Sequence, residues 1–342
     1  MRLSISPRQL PVVGAGIGVC AGLGYVLRRK RIKASQWERT NFHGVTVSLR
    51  GGVAMAGASV ASAAVASAFS DQPRAALGGL VASLGGGLAG YIDDVDQGAH
   101  DGGKVAKGLK GHLGALAHGQ VTTGVIKIAG IGASALAASA LVGSKATSMG
   151  GKVADLALNT VLIAGAANLA NLLDLRPGRA LKATVLVAAP LSYFSCADAK
   201  TPASGASVTS ATASVTSGAS VTSATASVTS GASGAPSATP AAPASASGAS
   251  AQRLLASGLN AAAITALVED LQETTMLGDT GANAAGALLG TSLAANDSWK
   301  LRLGTTLGVV GLILASEKVS FSKVIAANPA LNWLDQLWRR PL

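Results

Sequence analysis

PVVGAGIGVCAGLGYVLRRKR, residues 11 to 31, is an apolar run that closes on Arg28, Arg29, Lys30 and Arg31. A helix rises about 1.5 Å per residue, so ~17 to 25 apolar residues cross the hydrocarbon of a bilayer. The basic cluster follows the apolar run, the reverse of a cleaved signal peptide, whose positive residues come first. The stretch therefore reads as a retained membrane helix whose C-terminal end is held on the inner side by its charges. Comparable runs recur at 51 to 69, 76 to 92, 121 to 142, 153 to 171, 180 to 196, 281 to 295 and 301 to 316, with a weaker one at 254 to 268. The expected fold is all-α, a polytopic transmembrane helix bundle of about nine helices.

Composition supports a lipid-facing surface. Hydrophobic residues make up 49% of the 342 and charged residues 13%, well below the ~25% that covers a soluble domain. Aromatics are only 3%, so contacts between helices have to come from close backbone approach at small residues such as Gly85, Gly86, Gly87 and Gly90. The net charge of +11 is not gathered on one face in the way that phosphate tracking requires, so nucleic acid is not an expected partner. Cys20 lies mid-helix and Cys196 at a helix end, depths that no disulfide bridges.

Alternating nine helices from the first orientation puts residues 28 to 50, 93 to 120, 172 to 180, 269 to 280 and the tail from 317 inside. Those segments hold the larger share of the 27 basic residues, as the positive-inside rule requires. Lys127 is the only basic residue well inside an expected span. Residues 198 to 251 break the pattern: SGASVTSATASVT at 204 to 216 repeats at 217 to 229, a Ser/Thr/Ala/Gly/Pro composition unable to bury a core. The chain thus divides into a first membrane part of about six helices (1 to 197), a disordered outer loop (198 to 251), a second membrane part of about three helices (252 to 327) and a tail (328 to 342). In the tail Leu331, Leu334, Leu337 and Trp338 recur at helical spacing beside Arg339 and Arg340, the pattern of an amphipathic helix on the inner surface.

Four constellations fall on the inside segments. Asp93, Asp94 and Asp96 end a glycine-rich helix ahead of KGLKGHL at Lys107; adjacent carboxylates there are either solvated at a helix end or bound to a cation. In NLANLLDLRPG, Asn168, Asn171 and Asp174 are spaced three apart near one helix face, which fits interhelical hydrogen bonding as well as ligand binding. MLGDTGANAAG sets Asp279 between glycines before an apolar helix, where it either caps that helix or serves a site. RTNFHGVTVSLRGG carries Arg39 and His43, the latter ordinarily a solvated loop residue.

Taken in this order on one side, these segments resemble the polyprenyl-phosphate sugar-1-phosphate transferases, the family of phospho-N-acetylmuramoyl-pentapeptide transferase and its N-acetylglucosamine-1-phosphate counterparts. Arg39, His43, Gly51 and Gly52 keep the spacing of the family's first motif, with Thr46 and Ser48 in place of its prolines. Asp93, Asp94, Lys107, Gly108 and Leu109 match its aspartate pair and KGL. Asn168, Asn171, Asp174 and Gly178 match positions of N-x-x-N-x-x-D-G-x-D-G, with Pro177 where the second Asp would stand. Gly278, Asp279, Thr280 and Gly281 match M-G-D-x-G-S, with Ala282 in the Ser position. The family's later histidine-rich loop has no counterpart, because no histidine follows His118.

The resemblance implies a Mg²⁺-dependent transfer of a sugar 1-phosphate from a UDP-sugar to a polyprenyl phosphate in the bilayer, at the cytoplasmic face of the plasma membrane, by a protein that is often a homodimer. It assigns Asp279 and Asp174 to metal or pyrophosphate, Asp93 and Asp94 to metal or lipid phosphate, and Lys107 to phosphate. Asn168 and Asn171 would position the nucleotide, with Arg39 and His43 near the acceptor. The missing histidine loop motivates an alternative, a non-catalytic homologue acting as an envelope-assembly scaffold. A transporter is a third reading, but no broken-helix repeat is visible.

Overall fold

The computed structural model describes residues 5–29, 37–41, 43–96, 114, 118, 122–193 and 250–339. Lys107, Cys196 and the repeat-bearing loop from 198 to 249 lie outside the described residues. Eleven helices and one small hairpin are described: α1 (Gln9–Arg29), β1 (Glu38–Thr40), β2 (Thr46–Ser48), α2 (Arg50–Phe69), α3 (Pro73–Asp96), α4 (Thr123–Val142), α5 (Met149–Leu173), α6 (Arg179–Tyr193), α7 (Ala251–Leu271), α8 (Gly278–Ala294), α9 (Trp299–Ser316), α10 (Phe321–Ala327) and α11 (Pro329–Gln336). Six of them, α1 to α5 and α7, are long and apolar enough to cross a bilayer, so the chain is a multi-pass membrane protein.

Three of the nine expected segments are not among the six. The run at 254 to 268, the weakest by sequence, belongs to α7 and is among the six. The run at 281 to 295 is α8, which at 17 residues is not. α6 has 15 residues, and α9 carries Lys300 and Arg302 in its opening turn, so the one is too short and the other too polar at its start to join the six.

α8 is the axis of the molecule. Every one of its residues except Asp279 and Leu289 is buried, and α2, α3, α5 and α7 pack around it. Small side chains let neighbours enclose a helix this closely, and GDTGANAAGALLGTSLA supplies Gly, Ala, Ser or Thr at twelve of its seventeen positions. The closest crossing is with the start of α2. A Cβ on Gly52 would stand 1.7 Å from the Leu277 carbonyl oxygen, and one on Gly281 would stand 2.6 Å from the Cα of Gly52. Gly52 of the first motif is therefore a backbone contact between α2 and the start of α8, while Gly51 beside it faces Thr275 in the preceding turn.

Five of the described helix starts are capped by their own sequence. Thr122, Ser148, Ser250, Ser298 and Asn328 each accept a hydrogen bond from a backbone N–H in the first turn of the helix that follows. At the end of the bundle where α5 and α9 begin, Arg302 donates to Asp155 and Asn159, both at 3.0 Å, joining α9 to α5. The other end is marked by the hairpin and the carboxylates.

The C-terminal tail binds the body through charge. In α11 the buried residue is Asp335, while Leu331, Trp333 and Trp338 are exposed. Arg179 at the start of α6 grips Asp335 with Nε and Nη2, at 2.8 and 3.0 Å, and Arg339 adds a bond of 2.8 Å. Lys182 donates to the Asp335 carbonyl at 2.8 Å, and Arg339 to the Pro177 carbonyl at 2.9 Å. Of the spaced apolar residues, Leu331 and Trp338 are thus turned outward, and Leu334 and Leu337 are half-buried beside the docked face. A carboxylate among three cations leaves the inward face no alternative to pairing.

Burial disfavours the charge on Asp335, yet the Arg179 hydrogen bonds and the Arg339 charge outweigh it and hold the carboxyl below its usual range. A depressed carboxylate contributes stability above its unfolded pKa of ~3.9 and loses it as pH falls through the lower folded value. Docking of the tail is therefore complete at neutral pH and is lost in acid. In Asp335→Asn the same release is expected at pH 7: amide exchange across 321 to 336 should quicken at least about tenfold, since breaking a buried pair costs about 3 to 5 kcal/mol. Unchanged exchange would mean that the tail is held by something else.

Candidate functional site

The hairpin lies over the turn between α7 and α8. Thr40 pairs with Thr46 and Glu38 with Ser48 in antiparallel register. Asn41 makes the turn, its side-chain oxygen accepting from the N–H groups of His43 and Val45, both at 2.9 Å. Gly44 completes it at φ +77°, a region open to glycine. Ser48 donates to the Thr274 carbonyl at 3.2 Å and accepts from the Met276 N–H at 3.0 Å, so β2 fastens the hairpin along residues 274 to 276. His43 is not a solvated loop residue: its Nδ1 lies 2.8 Å from Glu273 Oε1, and Asn41 Nδ2 donates to the other oxygen. Burial would raise the Glu273 carboxyl, but the bonds from Asn41 and His43 outweigh it and hold the group below its usual range.

The two adjacent aspartates at the end of α3 diverge, because neighbouring residues on a helix point about 100° apart. Asp94 turns to α8. Its Oδ1 accepts from the Asp279 N–H at 3.1 Å, and its Oδ2 from the Thr280 N–H and hydroxyl at 2.8 and 2.6 Å. Leu277, the local cap position, offers no side-chain bond, and Gly278 turns the chain at φ +56°. Asp94 therefore caps α8 from another helix, where an anion is favoured by the exposed N–H groups and the helix dipole. That overturns the local reading of Asp279 as the cap. Arg39 reaches the same corner and donates to the Asp94 carbonyl at the C-terminal end of α3.

Asp93 turns toward α4, where Lys127 Nζ stands 2.9 Å from its Oδ2 and also binds Asp279 Oδ2. Asp174 follows the last residue of α5 and is 8% exposed; its Oδ2 has no hydrogen-bond partner. Burial, and then the charge of Asp270, push its carboxyl well above the usual carboxylate range, with Asp279 and Asp94 adding to the effect and the Gly278 N–H opposing it. Asp270 is buried at the end of α7 and accepts from the Gly178 N–H. Beside them opens a cavity of about 490 Å³ whose lining includes Asn41, Asp174, Arg176, Asp270, Glu273 and Ser322.

Of the residues singled out by sequence, Asp93, Asp94, Asp174, Asp279, Arg39 and His43 meet at this end of the bundle. Asn168 and Asn171 are not in the cavity lining. Steps of three residues turn back about 60° each on a helix, so the series sweeps from exposed Asn168 through half-buried Asn171 to buried Asp174. Their shared spacing thus does not place them on one ligand-facing line. Asp270, Glu273, Asn41 and Lys127 are additions. The charges in VEDLQETT at the end of an apolar helix were as visible as the Asp93 pair, but no motif drew attention to them.

Among the described residues, no three His, Cys, Asp or Glu side chains converge closely enough to hold a metal ion by themselves. The donor set instead suits a hard cation that keeps waters and ligand phosphates, as Mg²⁺ does with one or two carboxylates. The unpartnered Asp174 oxygen is the group such an ion would take. No family model matches the chain, and no match is found among curated proteins or solved structures.

The cap separates the roles of the two neighbouring aspartates. Asp94→Asn should lower stability by about 1 to 3 kcal/mol, the range for charge-assisted bonds to buried donors, by thermal melting in detergent with no divalent cation present. An unchanged melt would return Asp94 to a purely chemical role.

Proposed function

We propose that the chain transfers a sugar 1-phosphate from a UDP-sugar to a polyprenyl phosphate at the inner face of the plasma membrane. The observation that carries this reading is Asp174: a buried carboxylate with an unpartnered oxygen, in the field of Asp270, Asp279 and Asp94, beside a cavity of about 490 Å³. In the empty site that setting favours the protonated carboxyl, so a cation that binds there displaces the proton and answers the charge, and a hard divalent cation in turn takes phosphate as a ligand. The resemblance of the four motifs supports the same reading from the sequence side.

In the reaction an oxygen of the lipid phosphate bonds to the phosphorus that carries the sugar. The bond from that phosphorus to the bridging oxygen breaks, and UMP leaves with the oxygen. Bound Mg²⁺ would supply charge neutralisation to the pyrophosphate and the leaving group. Asp174 and Asp279 are the side chains that would hold it. Asp94 fixes the N-terminus of α8, and so the position of Asp279, through the three bonds described. Glu273, tied to Asn41 and His43, keeps the hairpin in place as one wall of the cavity. Arg176 on the lining brings positive charge toward a phosphate, and Lys107, in the segment between α3 and α4, is assigned the same task. The location suits the substrates, since the nucleotide sugar is water-soluble and the acceptor lies in the leaflet.

The test is UMP release from a panel of UDP-sugars by purified full-length protein with polyprenyl phosphate and Mg²⁺. Turnover that EDTA removes and that a folded Asp174→Asn variant lacks is the expected result. Absence of turnover with every donor, together with no thermal shift on adding UDP or Mg²⁺, would sink the transferase reading and favour an envelope-assembly scaffold.

A further inference from the structure

Lys127 sits one turn into a membrane-spanning helix, flanked by Ile126 and Ile128, each 43% exposed. The isoleucines face outward, and the lysine side chain, 15% exposed, turns inward. There its ammonium bridges Asp93 on α3 and Asp279 on α8. An ammonium at such a depth is costly unless its charge is answered, and two carboxylates from two helices answer it. The trio keeps one negative charge in excess and encloses the oxygen of Asp279 that a divalent ion would need.

We infer that Lys127 is a built-in counter-cation that competes with a divalent ion for Asp279 and, once displaced, turns to a ligand phosphate. A divalent ion carries twice the charge and approaches oxygen at about 2.1 Å, so it outcompetes an ammonium at hydrogen-bond distance when its own dehydration is met by other ligands. A phosphate that arrives with the ion provides those ligands, and it also accepts the freed ammonium. The lysine thus occupies the Asp279 oxygen in the empty site and makes cation binding weak until phosphate is present. This rests on the reading of Asp279 as a cation ligand, and not on the identity of the transferred group.

The experiment is Mn²⁺ titration of full-length protein in detergent, followed by the loss of free-ion paramagnetic resonance signal, with no nucleotide or lipid phosphate present. Lys127→Met is expected to bind Mn²⁺ at least tenfold more tightly than the native chain, and Lys127→Arg, which keeps the charge, within about threefold of it. Removing the ammonium leaves Asp93 and Asp279 facing each other, which threatens the fold. The double variant Lys127→Met with Asp93→Asn relieves that repulsion, retains Asp279, and is likewise expected to bind more tightly than native. Inorganic phosphate should tighten Mn²⁺ binding by the native protein more than by either Met variant. Equal or weaker binding by the Met variants, or no binding by any of them, overturns the inference. Tighter binding in a protein that releases no UMP from any UDP-sugar would sustain the lysine's role and remove the transferase reading; UMP release with no tightening would do the opposite.

Discussion

Asp279→Asn should abolish Mg²⁺-dependent UMP release, by on the order of a thousandfold or more, while leaving the fold intact. Asparagine has the shape of aspartate and can still accept from Lys127, so the α3–α4–α8 contact survives. The cap on α8 survives as well, because Asp94 binds the Asp279 backbone N–H and Thr280, not the Asp279 side chain. What is lost is the negative charge that a hard cation needs. The informative comparison is therefore turnover against melting temperature in the same preparation. Normal melting with no turnover is the expected result; normal turnover would take Asp279 out of the chemistry. Asp94→Asn should give the reverse balance, a lowered melt in the absence of any cation.

Gly52→Ala should prevent the native fold from accumulating. The added Cβ would lie 1.7 Å from the Leu277 carbonyl oxygen and both partners are backbone, so no rotamer change relieves the clash. α2 would have to move away from α8, which α3, α5 and α7 hold from the other sides. A cost of at least about 3 kcal/mol is expected, enough to remove most folded protein from a marginally stable chain. Gly14→Ala is the matched control. It lies on α1 with nothing within 4 Å, and should melt within about 0.5 kcal/mol of native. If the two variants melt alike, the close crossing of α2 and α8 is wrong.

These substitutions also mark how far the sequence could be read. The run from 11 to 31 announced a membrane helix because hydrocarbon thickness and helix rise leave few other uses for so many apolar residues. The same logic located five more spans. What it could not show is that α8, a helix of 17 residues, is enclosed by protein on nearly every side, since composition measures affinity for lipid and not which helices surround a segment. In the tail it described one face of a helix and not the other. The spacing of Leu331, Leu334, Leu337 and Trp338 is real, but the docking face is decided by Asp335 meeting Arg179, a pairing 156 residues apart along the chain. Periodicity carries no record of such a partner.

The candidate site divides along the same line. Carboxylates at the ends of apolar helices are few in this chain and expensive to bury, so Asp93, Asp94, Asp174 and Asp279 stood out by type alone. Their individual tasks did not. Asp93 and Asp94 are adjacent in sequence, yet one meets Lys127 and the other caps α8, and Asn168 shares the spacing of Asp174 without sharing its surroundings. Glu273 and His43 read as ordinary loop residues until the hairpin brings them together. By itself the sequence determined that the chain is helical, lives in a bilayer and concentrates costly charge at helix ends, because the transfer of apolar and charged groups between water and lipid depends on residue type. Only the tertiary structure decided which charge answers which, because pairing energies in a medium of low dielectric depend on distances of a few ångströms between residues far apart in the chain.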